Sequence, residues 1–527
     1  MPSPQPTKAT PTTIPCVEPA SGARLGEVAI TSPEQTREAI ARARDAQRIL
    51  QKTSFATRRS VLRHLQAHIL EHADELCDII VRDSGKTREN AMMGEVWPVS
   101  EKIRWTIRHG ERHLKDESVS SGLFLHKKAT IQYRPRGVIG VICPWNYPLQ
   151  NIFGPTVHSL FAGNATVVKV SEHVAWSTAR FQRIFDEALD AHNLPRDLVQ
   201  CVQGYGDTGA ALVSGGVDLI IFTGSMGNGR KVIAESAKSI TPVILELGGK
   251  DSMIVCEDAD LEQAAYAALN GSFIAAGQNC LAAERTLVHR DVYDAFVARV
   301  AELARSLRQG TPHQEQVEVG ALVTPQQLEI VEHLVDDARR KGARALVGGE
   351  RVQRPGNFFA PTILVDVTPS MKIMHEETFG PVMAICRVDS DEDAIRITNS
   401  TQYGLGATIM TKSRTRARRL MDAIDTGSAS ANDFGLAYMA QDLPFGGVRG
   451  SGFGRLNGRD GLRACTNPKA LLEDRFSLHA PAKIYPVGDH DYDLVRGVVK
   501  TLYGVGLKGR AAGVRDLAKT LRRKLRG

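Results

Sequence analysis

The sequence predicts an α/β protein built around a parallel, doubly wound sheet. From Gly137 onward, apolar strand-like runs alternate with longer helical patterns. Such alternation is typical of parallel sheets that bind a ligand at the carboxyl ends of their strands. The 527 residues, 42% hydrophobic and 24% charged, also suffice for a large core and an interdomain cleft.

Two helical patterns precede the sheet. The first begins at Ser32-Pro33-Glu34-Gln35, where a hydroxyl cap, a proline and a glutamine mark a helix start. The second has apolar residues at helical spacing over residues 61–80 and stops near Ser84-Gly85. Both helices are expected to pack as core and carry no chemistry.

The strands of the predicted sheet have the sequences VIGVICP, ATVVKV, LVQCVQG and DLIIFTG, and helices through Phe161 and over residues 177–191 separate them. A second α/β region follows Glu246 and reaches about Gly447, with helices near residues 291–307 and 326–341. Residues 118–134 look like a short hairpin, and residues 462–476 like a returning strand.

Cysteine usage and hydropathy exclude several protein classes. The eight cysteines are scattered without CxxC pairs or metal-ligand spacing, so we expect neither a disulfide scaffold nor a metal site. Residues 1–13 are polar and proline-rich, unlike a signal peptide, and no apolar run reaches the ~18 residues that span a bilayer. These features predict a cytoplasmic protein.

The net charge of +7 is concentrated in the tail. Residues 501–527 contain one acidic residue, Asp516, and eight basic residues, namely Lys508, Arg510, Arg515, Lys519, Arg522, Arg523, Lys524 and Arg526. Apolar residues recur there at helical spacing, at Val514, Leu517, Leu521 and Leu525. The pattern predicts a basic amphipathic helix, which fits peripheral contact with an anionic membrane.

The alternative for this helix is a solvated helix packed on its own subunit or on a neighbour. Nucleic acid is not expected as a partner, because no aromatic residues are interleaved with the late basic run.

A thiol and a carboxylate are the candidate reactive groups. Glu246 follows the apolar run Val243-Ile244-Leu245 and precedes a glycine pair, which leaves the carboxylate at a strand end. Cys280 follows Gly277-Gln278-Asn279 in a segment of small residues. The thiolate is the reactive form of a cysteine, and a base must either generate it or activate water later in the reaction. The pair of Cys280 and Glu246 therefore suggests covalent catalysis. The alternatives are an inert buried thiol and an ion pair between Glu246 and Lys250.

Six motifs occur in one order along the chain. They are PWNYP at 144–148, VVKVSE at 167–172, FTGS at 222–225, ELGGKD at 246–251, GQNC at 277–280 and EETFGPV at 376–382. This set resembles the NAD(P)-dependent aldehyde dehydrogenase superfamily over roughly residues 12–476. Six motifs at compatible spacing are far more specific than one short pattern.

The resemblance implies an aldehyde dehydrogenase-like fold and a catalytic site. Cys280 is then the nucleophile, Glu246 the general base, and Asn146 a donor to the developing oxyanion together with the Cys280 N–H. An alternative for Asn146 is a turn asparagine between two prolines.

The resemblance also implies that NAD is the cofactor. Lys169 and Glu172 match positions that contact the adenosine ribose, where a carboxylate favours NAD over NADP. Val170 stands where the family commonly has proline. Gly224, Ser225 and Gly229 are implied to bind the pyrophosphate, and Glu377 the nicotinamide ribose. Leu247 is a further implied cofactor residue. Phe379 is implied to lie beside the nicotinamide ring, and its alternative role is core packing.

The aldehyde is not identified by the sequence. We expect the tunnel to be lined by Trp145, Gln150, Phe153, Asn279, Leu281 and residues 432–439. This mixed aromatic and apolar set, without a clear basic pair, favours aliphatic or aromatic aldehydes.

The predicted domains are an NAD-binding domain (1–117 and 137–246), a catalytic domain (247–447), an oligomerisation element (118–136 and 462–476) of a homodimer or homotetramer, and a basic extension (477–527).

Three alternative functions remain open at this point. A coenzyme A-acylating relative would hand the acyl group to a thiol, against which the presence of Glu246 argues. A non-catalytic structural protein or a cysteine hydrolase would need no nicotinamide.

Overall fold

A computed structural model describes residues 11–476 and 485–525. Its strands are β1 (Thr13–Val17), β2 (Arg24–Ala29), β3 (Glu117–Val119), β4 (Lys127–Pro135), β5 (Val138–Ile142), β6 (Ala165–Val170), β7 (Val199–Gln203), β8 (Leu219–Gly224), β9 (Val243–Leu247), β10 (Ser252–Val255), β11 (Arg285–His289), β12 (Arg344–Val347), β13 (Thr362–Val365), β14 (Val382–Val388), β15 (Ala407–Met410), β16 (Ser430–Ala431), β17 (Gly452–Phe453) and β18 (Thr466–Asp474).

The α-helices are α1 (Pro33–Leu50), α2 (Phe55–Glu71), α3 (Ala73–Ser84), α4 (Arg88–Ala91), α5 (Trp97–Leu114), α6 (Pro148–Ala162), α7 (Thr178–Asp190), α8 (Gly206–Ser214), α9 (Met226–Ser236), α10 (Leu261–Phe273), α11 (Tyr293–Arg305), α12 (Pro325–Arg340), α13 (Asp391–Thr398), α14 (Arg414–Ala423), α15 (Leu436–Met439), α16 (Gly458–Ala464), α17 (Asp491–Tyr503) and α18 (Gly506–Lys524).

The first large sheet has six strands in the order β17-β9-β8-β5-β6-β7. Strands β5 to β9 are parallel, and β17 joins the edge antiparallel to β9. All six residues of β6 are buried, as expected for a parallel strand covered by helices on both faces. The predicted doubly wound α/β architecture is confirmed.

The second large sheet has seven strands in the order β12-β13-β14-β11-β10-β15-β16. Its strands are parallel except for β12, which pairs antiparallel with β13. Each large sheet has its own hydrophobic core. Strands β1 and β2 form a small antiparallel sheet, and β18, β4 and β3 form another sheet in that order.

The described chain divides into two compact units. The larger comprises the described residues up to Glu117 and Ile131–Ala470, and the smaller comprises Ser118–Thr130 and the described residues from Leu471 on. Both large sheets belong to the larger unit. None of the helices in the described residues is long and apolar enough to span a lipid bilayer.

Two local predictions differ from the structure. The single helical pattern predicted over residues 61–84 is two helices, because α2 ends and α3 begins at His72, whose φ of −106° is not helical. Leu517 does not share an exposed face with Val514 and Leu521. It is half-buried and packs against Gly497 of α17, where even a Cβ would come within 3.0 Å of its Cα. Arg526, part of the predicted basic run, lies outside the described residues.

Candidate active site

A cavity of about 990 Å³ opens in the larger unit and reaches both large sheets. Its wall includes residues at the carboxyl ends of parallel strands, among them Cys143 after β5, Ser171 after β6, Gly224 of β8 and Leu247 of β9. The second sheet's side contributes Glu377 and other residues. The cavity therefore lies where an open α/β sheet usually binds its ligand.

A strained turn positions Cys280 in this cavity. Ala275, Ala276 and Gly277 adopt left-handed backbone conformations in succession, with φ values of 51°, 55° and 74°. Left-handed alanines are costly, so the surroundings must hold them. Asn90 Oδ1 accepts a hydrogen bond from the Ala275 N–H at 2.7 Å, and Gln278 Nε2 donates to the Ala275 carbonyl at 3.0 Å.

Cys280 lines the cavity, and its side chain is half-buried. Burial raises the pKa of the thiol well above its usual value, and the neighbouring Glu246 carboxylate raises this pKa further. The free thiol is therefore protonated near neutral pH. It becomes a thiolate only if a base beside it accepts the proton.

Glu246 is that neighbouring base. It lies in β9, is 3% exposed and also lines the cavity. Burial raises the pKa of Glu246 to about 7, while the Cys280 thiol acts in the opposite direction. Within the described residues its Oε1 atom has no hydrogen-bond partner. Lys250 instead pairs with Glu284 at 2.5 Å, so the alternative ion pair between Glu246 and Lys250 does not form.

Asn146 lies between the nucleophile turn and helix α6. Its Nδ2 atom donates to the Gln278 carbonyl at 3.1 Å, and its Oδ1 accepts from Asn151 Nδ2 at 3.2 Å. A primary amide has two N–H groups, so one remains for a ligand. Asn146 is in the cavity wall with Cys280 and Glu246.

A buried ion pair, which the sequence did not reveal, holds the Asn146 segment in place. Lys86 Nζ lies 2.6 Å from Glu95 Oε1 and 2.5 Å from the Asn146 carbonyl oxygen. Glu95 Oε2 accepts from the N–H groups of Leu149 and Gln150 at the start of α6, at 2.6 and 3.3 Å. Lys86 and Glu95 are 2% and 0% exposed, so the pair is fully desolvated.

The end of β6 carries the predicted ribose-binding pair. Lys169 Nζ lies 2.9 Å from Glu172 Oε2, and both residues line the cavity. Burial acts to raise the pKa of Glu172, but the positive charge of Lys169 and the hydrogen bonds to the carboxylate have a larger, opposite effect. The pKa of Glu172 is therefore lowered. Glu172 is consequently a carboxylate at neutral pH and can accept hydrogen bonds from two hydroxyls.

The start of α9 forms a cradle suited to a pyrophosphate. Gly224 and Ser225 line the cavity, and the Ser225 hydroxyl caps α9 by accepting from the Asn228 N–H at 3.4 Å. Helix N-termini attract anions because their first N–H groups are unpaired. Gly229 lies inside α9, does not line the cavity, and packs against Leu247, whose Cδ2 atom would be 2.8 Å from a Cβ there. Leu247 itself lines the cavity.

Glu377 and Phe379 lie on the opposite wall. The Gly249 N–H donates to Glu377 Oε1 at 3.0 Å, and a Cβ at Gly248 would collide with the same carboxylate. Burial, followed by the charge of Glu284, raises the pKa of Glu377 to about 8. The Phe379 ring meets Trp145 edge-on at 5.3 Å and lines the cavity.

Glu284 fixes that wall, and the sequence did not indicate its role. Its carboxylate accepts from the Thr378 N–H at 2.8 Å and the Phe379 N–H at 2.7 Å. Lys250 binds the same carboxylate and also donates to Thr378 Oγ1 at 2.9 Å. The signal available was the lysine of ELGGKD, but nothing in the sequence pairs it with a glutamate 34 residues later.

Most of the expected tunnel residues line the cavity. Those that do are Trp145, Gln150, Asn279, Leu281, Phe434, Gly435, Tyr438 and Met439. Phe153 does not. The prediction for Phe153 is wrong because α6 is buried on nearly every side, and this 0% exposed ring stacks on Phe185 with centroids 4.2 Å apart. Across residues 11–476 and 485–525 no cluster of His, Cys, Asp or Glu could hold a metal ion.

Comparison with known proteins identifies the family. The profile of the aldehyde dehydrogenase family matches residues 6–471 of the chain. The chain belongs to the aldehyde dehydrogenase family. The predicted family is therefore confirmed, and aldehyde oxidation is the chemistry expected of the cavity.

Relatives of this aldehyde dehydrogenase differ in their described substrates and cofactors. A 4,4'-diapolycopene aldehyde oxidase of a Methylomonas species is 34% identical over 94% of this chain and 92% of its own length. A putative NADP(+) succinate-semialdehyde dehydrogenase of Mycolicibacterium smegmatis is 33% identical over 88% and 89%. The NAD+ complex of an aldehyde dehydrogenase from Bacillus cereus superposes with a TM-score of 0.83 at 31% identity, covering 88% of this chain and 94% of that one.

Proposed function

We propose that this aldehyde dehydrogenase oxidises a hydrophobic aldehyde to its carboxylate with NAD, through a thioester on Cys280. The observation that carries the proposal is the pair of Cys280 and Glu246 in one cavity. The carboxylate is buried, its Oε1 atom has no hydrogen-bond partner among the described residues, and its pKa is raised to about 7. A base poised near neutral pH suits proton transfer in both halves of such a reaction.

In the first half, Glu246 takes the proton of the Cys280 thiol. The thiolate attacks the aldehyde carbon, and the resulting C–S bond leaves a negative charge on the former carbonyl oxygen. The second N–H of Asn146 Nδ2 and the Cys280 backbone N–H stabilise that charge. Bound NAD would supply a hydride acceptor, so that hydride could leave the carbon as the carbonyl re-forms to give the thioester on Cys280.

In the second half, Glu246 takes a proton from water, and the resulting hydroxide attacks the thioester carbon. Collapse of this second tetrahedral adduct breaks the C–S bond and releases the carboxylic acid and the Cys280 thiolate. Water is consumed once, and the acid ionises in solvent. The single carboxylate can serve both halves because it releases the thiol proton to solvent before water attacks, and it returns the water proton to the Cys280 thiolate at the end.

The cradle described above fits a dinucleotide. Gly224 and Ser225 at the start of α9 suit the pyrophosphate, Lys169 and Glu172 the adenosine ribose, and Glu377 the nicotinamide ribose. We propose Leu247 and Phe379 as the apolar neighbours of the nicotinamide ring. Gly229 contributes by letting α9 approach Leu247 closely.

The substrate is proposed from the other end of the cavity. Aromatic and apolar side chains predominate there, including Trp145, Leu281, Phe434 and Met439. This lining favours aliphatic or aromatic aldehydes over those that carry a carboxylate.

The test is NADH formation from short, long-chain and aromatic aldehydes, for wild type, Cys280→Ala and Glu246→Gln. We expect aldehyde-dependent NADH from wild type and a rate loss on the order of 10³-fold or more in Cys280→Ala. Cys201→Ala is the matched control, because this half-buried thiol of β7 does not line the cavity.

The outcomes separate the alternatives. A rate that depends on added coenzyme A would indicate the acylating relative. No NADH from any aldehyde, with the folded wild type and its thiol intact, would contradict the proposal and favour a non-catalytic protein.

Cofactor preference has its own test. Glu172 should repel a 2′-phosphate, so wild type should show a higher kcat/KM for NAD than for NADP. Glu172→Gln should narrow that ratio by roughly tenfold, which one ionic repulsion near a partly buried site can supply. The exposed carboxylate of α2 provides the control, Glu71→Gln, which should leave the ratio unchanged. An unchanged ratio in Glu172→Gln would remove Glu172 from the preference.

We also propose the domain assignment predicted from the sequence. The NAD-binding domain is 1–117 with 137–246, the catalytic domain 247–447, and the oligomerisation element 118–136 with 462–476. The three-stranded sheet of β18, β4 and β3 supports this last assignment, since its strands fall within those two segments apart from their edges. Size-exclusion chromatography with light scattering tests for the expected homodimer or homotetramer.

A further inference from the structure

The smaller unit ends in a helical pair, α17 and α18, that the proposed chemistry does not use. The two helices pack closely through small residues. A Cβ at Gly497 would come within 3.0 Å of the Leu517 backbone, and one at Gly504 would come 2.6 Å from the Gly509 carbonyl carbon. Gly513 is buried against Thr501. One side of α18 is thus occupied by α17.

A second side of α18 is apolar and exposed. Leu507, Val514, Leu521 and Leu525 are separated by seven, seven and four residues, which keeps them on one stripe of a helix with 3.6 residues per turn. Their exposed fractions are 89%, 51%, 44% and 86%. Because exposed leucines and valines on one stripe are unusual in a protein surrounded only by water, this stripe indicates a binding surface.

A third side of α18 is basic and adjoins the apolar stripe. Lys508, Arg515 and Arg522 each follow a residue of the apolar stripe by one position, and Lys519 lies on the same side of the helix, four residues after Arg515. Within residues 485–525 none of these four side chains pairs with a carboxylate, whereas Lys524 pairs with Asp491 and Lys500 with Asp516. The only acidic residue of α18, Asp516, lies on the side that faces α17. The basic stripe therefore keeps its charge for an external partner.

We propose that α18 docks this enzyme on the surface of an anionic lipid bilayer, with the apolar stripe inserted among the acyl chains and the basic stripe on the headgroups. Parallel apolar and basic stripes on one helix match the layered chemistry of a bilayer surface. A groove on another protein requires no such regular charge along the whole helix. The proposal does not depend on the reaction at Cys280.

The test is co-sedimentation of the full chain with vesicles of phosphatidylcholine alone or with about 30% phosphatidylserine. We expect binding to the anionic vesicles at about 0.1 M salt, weak binding to the neutral ones, and release at about 0.5 M salt. Replacing Arg515, Lys519 and Arg522 with Gln should weaken binding roughly a hundredfold, since each basic residue near the surface contributes about fivefold.

The apolar stripe is tested separately by Val514→Ser with Leu521→Ser, which should weaken binding at least about tenfold. Both substitutions are at exposed positions and leave the α17 contact intact. Matched controls are Arg63, Arg305 and Arg340 changed to Gln, and Ile49→Ser with Leu70→Ser, all at exposed positions of helices in the larger unit. The controls should bind like wild type, and all variants should keep the wild-type thermal midpoint.

Three results would overturn the proposal. They are equal binding to both vesicle types, equal binding by the α18 variants and wild type, and the absence of vesicle binding. If in that last case the Val514→Ser/Leu521→Ser protein forms smaller assemblies than wild type, the stripe is an interface between copies of this chain.

Discussion

Burial gives the two reactive side chains protonation states that depend on each other. It raises the pKa of Glu246 to about 7 and that of Cys280 well above its usual value. Both side chains are therefore mostly uncharged in the lower part of the physiological pH range. We expect the rate of aldehyde oxidation to fall about tenfold for each pH unit below about 7, because only ionised Glu246 accepts a proton. A pH profile of kcat that stays flat from 5 to 8 would contradict this.

The same carboxylate should limit stability. Its pKa in the folded protein, about 7, exceeds the ordinary value of 4.5, so the folded state binds more protons between these pH values. Stability from this group is therefore full below about pH 4.5 and is lost as the pH rises through about 7. At pH 8, the free energy of unfolding of Glu246→Gln should be up to about 3 kcal/mol higher than that of wild type.

Denaturant titrations at pH 8 and pH 5 check this prediction, and the difference between the two proteins should shrink at the lower pH. A Gln variant that is less stable at pH 8 would show that Glu246 makes favourable contacts that its buried, unpartnered oxygen does not suggest.

Lys86 and Glu95 illustrate a positioning role that can be separated from stability. Lys86→Met should lower the free energy of unfolding by about 3–5 kcal/mol, because it leaves the Glu95 carboxylate buried without its cation. Adding Glu95→Gln should restore much of that stability. It should not restore kcat, since Lys86 alone holds the Asn146 carbonyl and Glu95 the start of α6.

Denaturant unfolding and NADH kinetics of the two single variants and the double variant form the cycle that checks this. Recovery of kcat together with stability in the double variant would assign the pair a purely structural role. Stable, inactive protein would instead show that Asn146 must be held in place for catalysis.

At the scale of elements, the turn before Cys280 combines poor backbone geometry with close packing. Ala276 has a φ of 55° and is 1% exposed, whereas Ala268 is 0% exposed inside α10. Each loses one buried methyl group on substitution with glycine. Glycine relieves the left-handed strain only at position 276 and weakens the helix at 268. We expect Ala276→Gly to be about 2 kcal/mol more stable than Ala268→Gly.

Thermal or denaturant unfolding of the two variants measures this difference. If the two variants are equally stable, the turn before Cys280 is not strained in the protein without substrate and adopts another conformation there. The kcat of Ala276→Gly should also fall, because a glycine turn holds the thiol less rigidly.

At the scale of the whole molecule, residues from both large sheets line the cavity in which we place NAD. Lys169 and Glu172 follow or end β6 of the first sheet, and Glu377 and Phe379 precede β14 of the second. A ligand held by both should stabilise both cores. NAD at about 100 times its Kd should add about 2.7 kcal/mol and raise the unfolding midpoint by roughly 3–5 °C.

Differential scanning fluorimetry checks this prediction. Cys280→Ala should keep the full shift, because the thiol is not proposed to hold the cofactor, and Glu172→Gln should reduce it. A cofactor that produces no shift in wild type would place the binding site elsewhere.

The sequence predicted the sheet and the reactive pair for related reasons. Strands β5, β6, β8 and β9 are mostly apolar runs between helical patterns, and β7 (VQCVQ) is a shorter alternating one, so their patterns identify them as strands. Their parallel order gathers motif residues at one edge of the sheet. Phe153 was misplaced because a helix buried on all sides has no periodicity to show which face meets the cavity. The Lys86–Glu95 and Lys250–Glu284 pairs were missed because buried ion pairs depend on tertiary contacts and leave no spacing signal.

The distribution of thiols also provides a way to count working sites. Of the eight cysteines, six are buried, and the two half-buried ones are Cys280 in the cavity and Cys201 in β7. Cys143 also lines the cavity, although it is only 5% exposed. In a Cys143→Ala/Cys201→Ala protein, an alkylating reagent small enough for the cavity should therefore attach once per chain. Because Glu246 must remove the thiol proton first, the amount of rapidly attached label becomes a direct readout of how many chains in a preparation have an assembled active site.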